Sequence, residues 1–157
     1  MALQMADVVI IMIHPILGTI AAYMIYKQWI SLKSRKIQIQ GQKSRKETIM
    51  MHQESGRKIT RMVGIVILFA VLGDAYRRFR LDTPLSELMS LHGWLGLALF
   101  GAIFVMGRIG ERLSDAALKK EDYLQDKKRH SKIGGVMMIL LGTIVFLGFL
   151  RLLDILG

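Results

Sequence analysis

The sequence predicts an all-α fold, a membrane bundle of four helices in up-down-up-down order. Hydrophobic residues make up 52% of the 157 residues, yet 22 residues are Lys or Arg. The charge is segregated, because it is sparse in four apolar stretches and dense between them, which is typical of membrane spans joined by polar loops. None of the four stretches alternates with a period of two, so strands are not predicted.

The four predicted spans lie at about 7–30, 52–76, 85–108 and 130–152. Each is close to the ~20 residues that a helix needs to cross the hydrocarbon core of a bilayer. The first span has neither a basic segment before it nor a small-residue cleavage pattern after it, so we expect a retained helix and not a removed signal peptide. The chain 1–157 is therefore predicted to be one transmembrane domain.

The distribution of basic residues predicts an orientation for these spans. The segment from Lys27 to Arg61 contains ten Lys or Arg and two acidic residues, and the segment from Arg108 to Lys132 contains eight Lys or Arg and five acidic residues. The connection from Asp74 to Glu87 has three of each. Basic residues near span ends mark the cytoplasmic or stromal side, so the predicted loops 31–51 and 109–129 lie inside and both termini outside. We expect a membrane of plasma or thylakoid type. The net charge of +10 is explained by this rule and by anionic lipid headgroups, without nucleic acid.

Every histidine of the chain is followed four residues later by a glycine. On a helix, residues four apart share a face, so the glycine removes side-chain bulk one turn from the imidazole, as a flat macrocycle against the helix would require. Glycines also occur where membrane helices pack closely, and that alternative remains open. The four motifs are His14 with Gly18, His52 with Gly56, His92 with Gly96, and His130 with Gly134.

The depths of the histidines predict two metal-binding pairs. Each histidine lies toward the N-terminal end of its own span, and alternate helices of an up-down bundle start on the same side. His14 and His92 should share one level near the outer face, and His52 and His130 another near the inner face. Two imidazoles at one depth are the axial ligand set of a six-coordinate haem iron. Because the chain has no cysteine, covalent c-type attachment is excluded. The sequence therefore predicts two non-covalent b-type haems and an electron-transfer role.

Basic residues beside the inner histidines are candidates to pair with haem propionates. They are Arg57 and Lys58 after His52, and Arg129 and Lys132 on either side of His130.

These motifs resemble the haem-binding core of the cytochrome b561 family and its small four-helix relatives. The resemblance is carried by His14-Pro-Ile-Leu-Gly18, by Leu91-His92-Gly-Trp-Leu-Gly96, by His130 before Gly134 and Gly142, and by Lys46-Glu-Thr-Ile-Met-Met-His52. It spans nearly the whole chain and implies a transmembrane two-haem cytochrome with the first core helix paired to the third and the second to the fourth. Classical members have six helices, so ascorbate use and ferric reductase activity are not carried over.

Several functional alternatives stay open at this stage. The histidines could instead bind chlorophyll magnesium singly, or nothing, in a pigment-binding or structural accessory subunit of a larger photosynthetic or respiratory complex. Isolated imidazoles can also be satisfied by a neighbouring carbonyl or by solvent. The donor and acceptor, whether a quinone or a soluble reductant, are not specified, nor is it decided whether the chain is a transmembrane oxidoreductase or only an electron carrier.

Overall fold

The computed structural model describes residues 4–38, 45–81, 90–119 and 124–156, which form four long helices. They are α1 (Met5–Gln38), α2 (Arg45–Leu81), α3 (Leu91–Lys119) and α4 (Leu124–Leu156). No strand occurs within these ranges. The predicted all-α four-helix fold is confirmed.

The helices form a bundle in which helices consecutive in the chain pack against each other, and α1 also packs against α4. Contacts between α1 and α2 pair early positions of one with late positions of the other, as where His14 meets Val66 and Gln28 meets His52. These helices are therefore antiparallel, and α1 lies diagonally opposite α3 as α2 does opposite α4. The diagonal arrangement matters because it leaves side chains of non-neighbouring helices facing each other across the bundle axis.

Each helix contains a stretch long and apolar enough to cross a membrane, namely Met5–Ile30, Glu47–Arg80, Leu91–Ala116 and Leu124–Asp154. Only 11–17% of the most apolar window of each helix is buried inside the bundle. Large apolar side chains such as Phe79, Val136 and Ile139 are 94%, 65% and 74% exposed. An apolar surface this extensive is unsuited to water and fits contact with lipid.

The helices extend further into the polar segments than the sequence patterns predict. Of the expected inner loop 31–51, residues up to Gln38 belong to α1 and residues from Arg45 belong to α2. The expected loop 109–129 is likewise helical up to Lys119 and again from Leu124. Lys, Arg, Glu and Gln are strong helix formers, so a helix continues past the point where hydropathy falls. The described part of α3 begins at Leu91, and the predicted start of the third span near 85 lies outside the described residues, since 82–89 are not among them.

The apolar core occupies the middle of the bundle, between the two levels at which the histidines lie. Its buried members come from all four helices: Ala21, Ile25, Ile59, Val63, Leu99, Ile103, Met137, Leu141 and Ile144. Within each helix these residues recur at spacings of three, four or seven, so one face of every helix turns inward. Each histidine lies seven residues before a core member of its own helix, so its side chain is also directed toward the axis.

Candidate functional site

The four histidines meet in two pairs across the diagonals of the bundle. The rings of His14 on α1 and His92 on α3 have centroids 6.0 Å apart and planes at 81°. The rings of His52 on α2 and His130 on α4 have centroids 6.2 Å apart and planes at 74°. We call these the outer pair and the inner pair, after the predicted orientation. The structure thus brings together the same partners that the depth argument predicts.

The two pairs lie at well-separated levels. His14 contacts the backbone of Val66, which is 14 residues beyond His52 along α2. At a rise of ~1.5 Å per residue, this places the levels about 21 Å apart along the helix. The apolar core fills the interval between them. The pairs are consequently two distinct sites within the ~30 Å of hydrocarbon that the bundle would cross.

In the outer pair, both imidazoles donate a hydrogen bond to a backbone carbonyl of the neighbouring helix. Nδ1–H of His14 donates to the carbonyl of Val66 at 3.1 Å. Nδ1–H of His92 donates to the carbonyl of Ile144 at 3.0 Å. A carbonyl oxygen can only accept, so the proton of each neutral ring resides on Nδ1 and Nε2 keeps its lone pair. This tautomer is the one commonly found in metal-binding histidines, with the second nitrogen held by a protein acceptor.

The inner pair has different surroundings. The Gln28 amide nitrogen lies 2.6 Å from Nδ1 of His52 and also donates to the His52 carbonyl at 3.0 Å. With an N–H directed at Nδ1, the His52 proton resides on Nε2. On the opposite helix, Nδ1 of His130 is buried without a hydrogen-bond partner among the described residues. Buried polar atoms are rarely left unsatisfied, so this nitrogen is available to a partner beyond the described residues.

An internal repeat of 78 positions underlies both pairs. It relates His14 to His92, His52 to His130 and Val66 to Ile144, and it also relates the glycines of the histidine motifs. The buried core follows the same offset, since Ala21, Ile25, Ile59 and Val63 correspond to Leu99, Ile103, Met137 and Leu141. The bundle is therefore built from two similar helical hairpins. Gln28 breaks the repeat, because its counterpart is Met106.

The motif glycines are not required by close packing of the helices. A Cβ atom added at Gly56 or Gly96 would meet nothing within 4 Å, and one added at Gly18 would meet only Val66 Cγ1 at 4.0 Å. At Gly134 the nearest atom would be Met106 Cε at 3.6 Å, an ordinary contact. Open space beside an inward-facing histidine is what a bound macrocycle would need, and that role of the glycines stays a prediction.

A different glycine does have a steric role at the outer pair. A Cβ atom at Gly148 would lie 2.8 Å from Cε1 and 3.1 Å from Nδ1 of His92, closer than side chains tolerate. Gly148 lies one turn after Ile144, whose carbonyl binds the same ring. Neither this contact nor the one made by Gln28 follows from the four-residue histidine motif.

The predicted propionate partners are exposed near the inner pair. Lys58 forms an ion pair with Glu54 at 2.8 Å, and Arg129 approaches Asp126 at 4.0 Å. Arg57 and Lys132 are also exposed. All four side chains lie within six residues of His52 or His130, on the same end of the bundle. Their contact with a cofactor stays a prediction.

The outer end carries a buried carboxylate that the sequence patterns do not single out. Asp7 is 2% exposed and accepts hydrogen bonds from the Tyr76 hydroxyl at 2.6 Å and from the Gln4 backbone at 2.8 Å. It lies seven residues before His14, two turns away on the same face of α1. Asp7 therefore joins the start of α1 to the end of α2 and places a negative charge on the outer pair's side of the core.

The ring spacing fits two ligands bound on opposite sides of one metal ion. A histidine nitrogen binds a metal at about 2.0 Å and the ring centroid lies about 1.1 Å behind it, so opposed imidazoles have centroids about 6 Å apart. Both pairs have this spacing. Among the described residues, no group of three or more His, Cys, Asp or Glu side chains converges. Each pair brings together two imidazoles, and two is the number of axial ligands that a porphyrin iron accepts.

No family model, no curated protein and no solved structure matches the chain.

Proposed function

We propose that the chain is a transmembrane b-type dihaem cytochrome that carries single electrons across or within a membrane. His14 and His92 would hold one haem and His52 and His130 the other, all through non-covalent ligation. The observation that supports this most strongly is the occurrence of two diagonal imidazole pairs at 6.0 and 6.2 Å, each with the spacing of axial ligands. The resemblance of the histidine motifs to the cytochrome b561 family points in the same direction.

The residues around each pair have identifiable roles in this proposal. The carbonyls of Val66 and Ile144 fix the orientation of the outer imidazoles and keep Nε2 available as the donor atom. The buried apolar residues between the levels exclude water from the interior. A bound haem would supply a one-electron couple at its iron. The polypeptide itself sets the position of the two sites and the polarity around them.

Two sites at different depths suit movement of electrons across the bilayer. A separation of about 21 Å along α2 divides the ~30 Å of hydrocarbon into shorter intervals. By the positive-inside rule, the end that carries His52 and His130 faces the cytoplasm or stroma, in a plasma or thylakoid-type membrane. Arg57, Lys58, Arg129 and Lys132 lie at that end and are available to propionates. A quinone or a soluble reductant is the proposed redox partner, and action as one subunit of a larger membrane complex is compatible with the proposal.

The proposal is tested by the absorption spectrum of the purified protein. Protein isolated in mild detergent should give a dithionite-reduced minus oxidised spectrum typical of bis-imidazole b haem, with about two haems per chain by pyridine haemochrome assay. A colourless protein, or one that carries only chlorophyll, would reject the cytochrome and favour a structural or pigment-binding subunit. Chlorophyll magnesium normally takes one histidine, so the observed pairing is better suited to haem.

A further inference from the structure

We infer that the start of α4 carries a binding site for an anionic phospholipid, with the phosphate held by Lys128, Ser131 and Lys132 and the acyl chains along the apolar face that follows. This inference goes beyond the proposed function and does not depend on a haem. It assigns a ligand of defined chemistry to a basic groove at the inner end of the bundle.

The groove is a shallow cavity of about 480 Å³ on the outward face of α4. Its exposed lining side chains are Gln125, Lys128, Arg129, Ser131 and Lys132. Lys128 and Lys132 each lie two residues from His130, whose ring meets His52 inside the bundle. At 3.6 residues per turn, that separation places both lysines on nearly the opposite side of the helix from the imidazole. Lys132 is therefore better placed for a ligand in the groove than for a haem propionate.

The two lysines lie at the depth of lipid headgroups. Arg151, near the other end of α4, follows Lys132 by 19 residues. At ~1.5 Å per residue this interval is about 28 Å of helix, close to the ~30 Å thickness of the hydrocarbon core. Lys132 therefore marks the inner boundary of the hydrocarbon, and Lys128 lies one turn beyond that boundary, among the headgroups.

An exposed apolar face continues directly from the lysines. Val136, Ile139 and Phe146 follow Lys132 by four, seven and 14 residues, so they share its side of α4. These three side chains are 65%, 74% and 61% exposed. A free anion would occupy only the groove, whereas one phospholipid molecule covers both the cations and the apolar face. The continuity of the two surfaces therefore favours a lipid over a soluble anion.

The charge of this segment suits an anionic headgroup. From Lys119 to Lys132 the chain has six Lys or Arg and three acidic residues. Two of these acids precede Leu124 and lie outside the described residues, and the third, Asp126, approaches Arg129 at 4.0 Å. Among the described residues, neither Lys128 nor Lys132 has an ion-pair partner. Both ammonium groups are therefore available to a phosphate.

The groove is specific to the second hairpin. Across the 78-position repeat, Lys128 corresponds to Met50 and Lys132 to Glu54. Neither the fold of the repeated hairpin nor the histidine pair therefore requires a cation at these positions. The preference for cations on the inner side of a membrane acts on both hairpins and does not by itself select these two positions. A ligand bound only by α4 accounts for them.

The proposal is tested by native mass spectrometry of the purified full chain in mild detergent, with phosphatidylglycerol and phosphatidylcholine as probes. We expect phosphatidylglycerol to bind at least about tenfold more tightly. Lys128→Gln with Lys132→Gln should weaken its binding about 25-fold, since each cation near a headgroup contributes roughly a factor of five. Lys128→Arg with Lys132→Arg keeps both charges and should retain the binding.

Arg57→Gln with Lys58→Gln is the matched control, because it removes two exposed cations from the same end of the bundle. It should leave the affinity for phosphatidylglycerol nearly unchanged. Equal losses in the two Gln double variants would show only diffuse attraction between charges and would overturn the proposal.

Glycerol phosphate separates a lipid site from a site for free anions, since it supplies the headgroup chemistry without acyl chains. We expect that it does not displace phosphatidylglycerol at equal concentration. Displacement would mean that the groove binds a free anion, and equal affinity for the two lipids would leave the groove to an acidic partner protein. Either result overturns the inference, whatever the haem content of the chain.

Discussion

The outer and inner histidine pairs have nearly the same spacing but opposite surroundings. Centroids lie 6.0 and 6.2 Å apart, and both pairs join diagonal helices. The outer rings are held by carbonyls at equivalent positions of the repeat, whereas His52 meets the amide of Gln28 and Nδ1 of His130 has no hydrogen-bond partner among the described residues. The repeated hairpin thus accounts for the pairing itself, and the replacement of Gln28 by Met106 in the second hairpin distinguishes His52 from His130 within the inner pair.

The largest expected effect comes from removing one ligand. His92→Ala deletes an axial imidazole of the outer site and leaves the inner pair intact, so haem content should fall from about two per chain to about one. The measurement is a pyridine haemochrome assay on purified protein. Unchanged haem content in this variant would show that His92 is not a ligand.

The next largest effect is expected from a substitution at Gly148, which affects the outer pair and not the inner pair. Gly148→Ala places a methyl group 2.8 Å from His92 Cε1, and the ring cannot retreat without weakening its bond to Ile144. We expect reduced haem at the outer site and a lower midpoint of thermal unfolding, since a lost hydrogen bond costs about 0.5–1.5 kcal/mol.

Gly135 provides the control on the same helix, because a Cβ atom there would meet nothing within 4 Å. Gly135→Ala should be neutral or stabilising, as alanine is favoured over glycine inside a helix by roughly 0.5–1 kcal/mol. Equal effects at the two positions would argue against a specific contact with His92.

The buried carboxylate at the outer end should contribute to stability with little effect on ligation. Tyr76→Phe removes the hydroxyl that donates to Asp7 and leaves that carboxylate with fewer donors. We expect a lower midpoint of thermal unfolding with both haems retained. Tyr23→Phe is the matched control, since Tyr23 is 58% exposed and its loss of a hydroxyl should not change the midpoint.

The smallest effects are expected for the exposed cations near the inner pair. Lys58→Ala and Arg129→Ala break ion pairs between largely exposed groups, which contribute little to stability. Their removal should leave the midpoint of thermal unfolding unchanged. It should lower slightly the reduction potential of the haem proposed to bind His52 and His130, and leave that of the other haem unchanged. A loss of haem in either variant would mean that the cation holds the cofactor more tightly than its exposure suggests.

The sequence predicts the four helices and the partners in each histidine pair, because apolar stretches and the depth of a residue in a span can be read along a single chain. The helix ends are less predictable, since helix propensity carries α1 and α3 beyond their apolar stretches. Gln28 could have been noted as a polar residue about four turns after His14 on the same face. Its contact with His52, like that of Gly148 with His92, depends on the rotation of packed helices, which a one-dimensional pattern does not specify.

The central claim, that His14 pairs with His92 and His52 with His130, is tested most directly by comparing two double variants. His14→Ala with His92→Ala removes both ligands of one site, so about one haem per chain should remain. His14→Ala with His52→Ala removes one ligand from each site, so no bis-imidazole haem should remain. Equal haem content in the two variants would contradict the pairing.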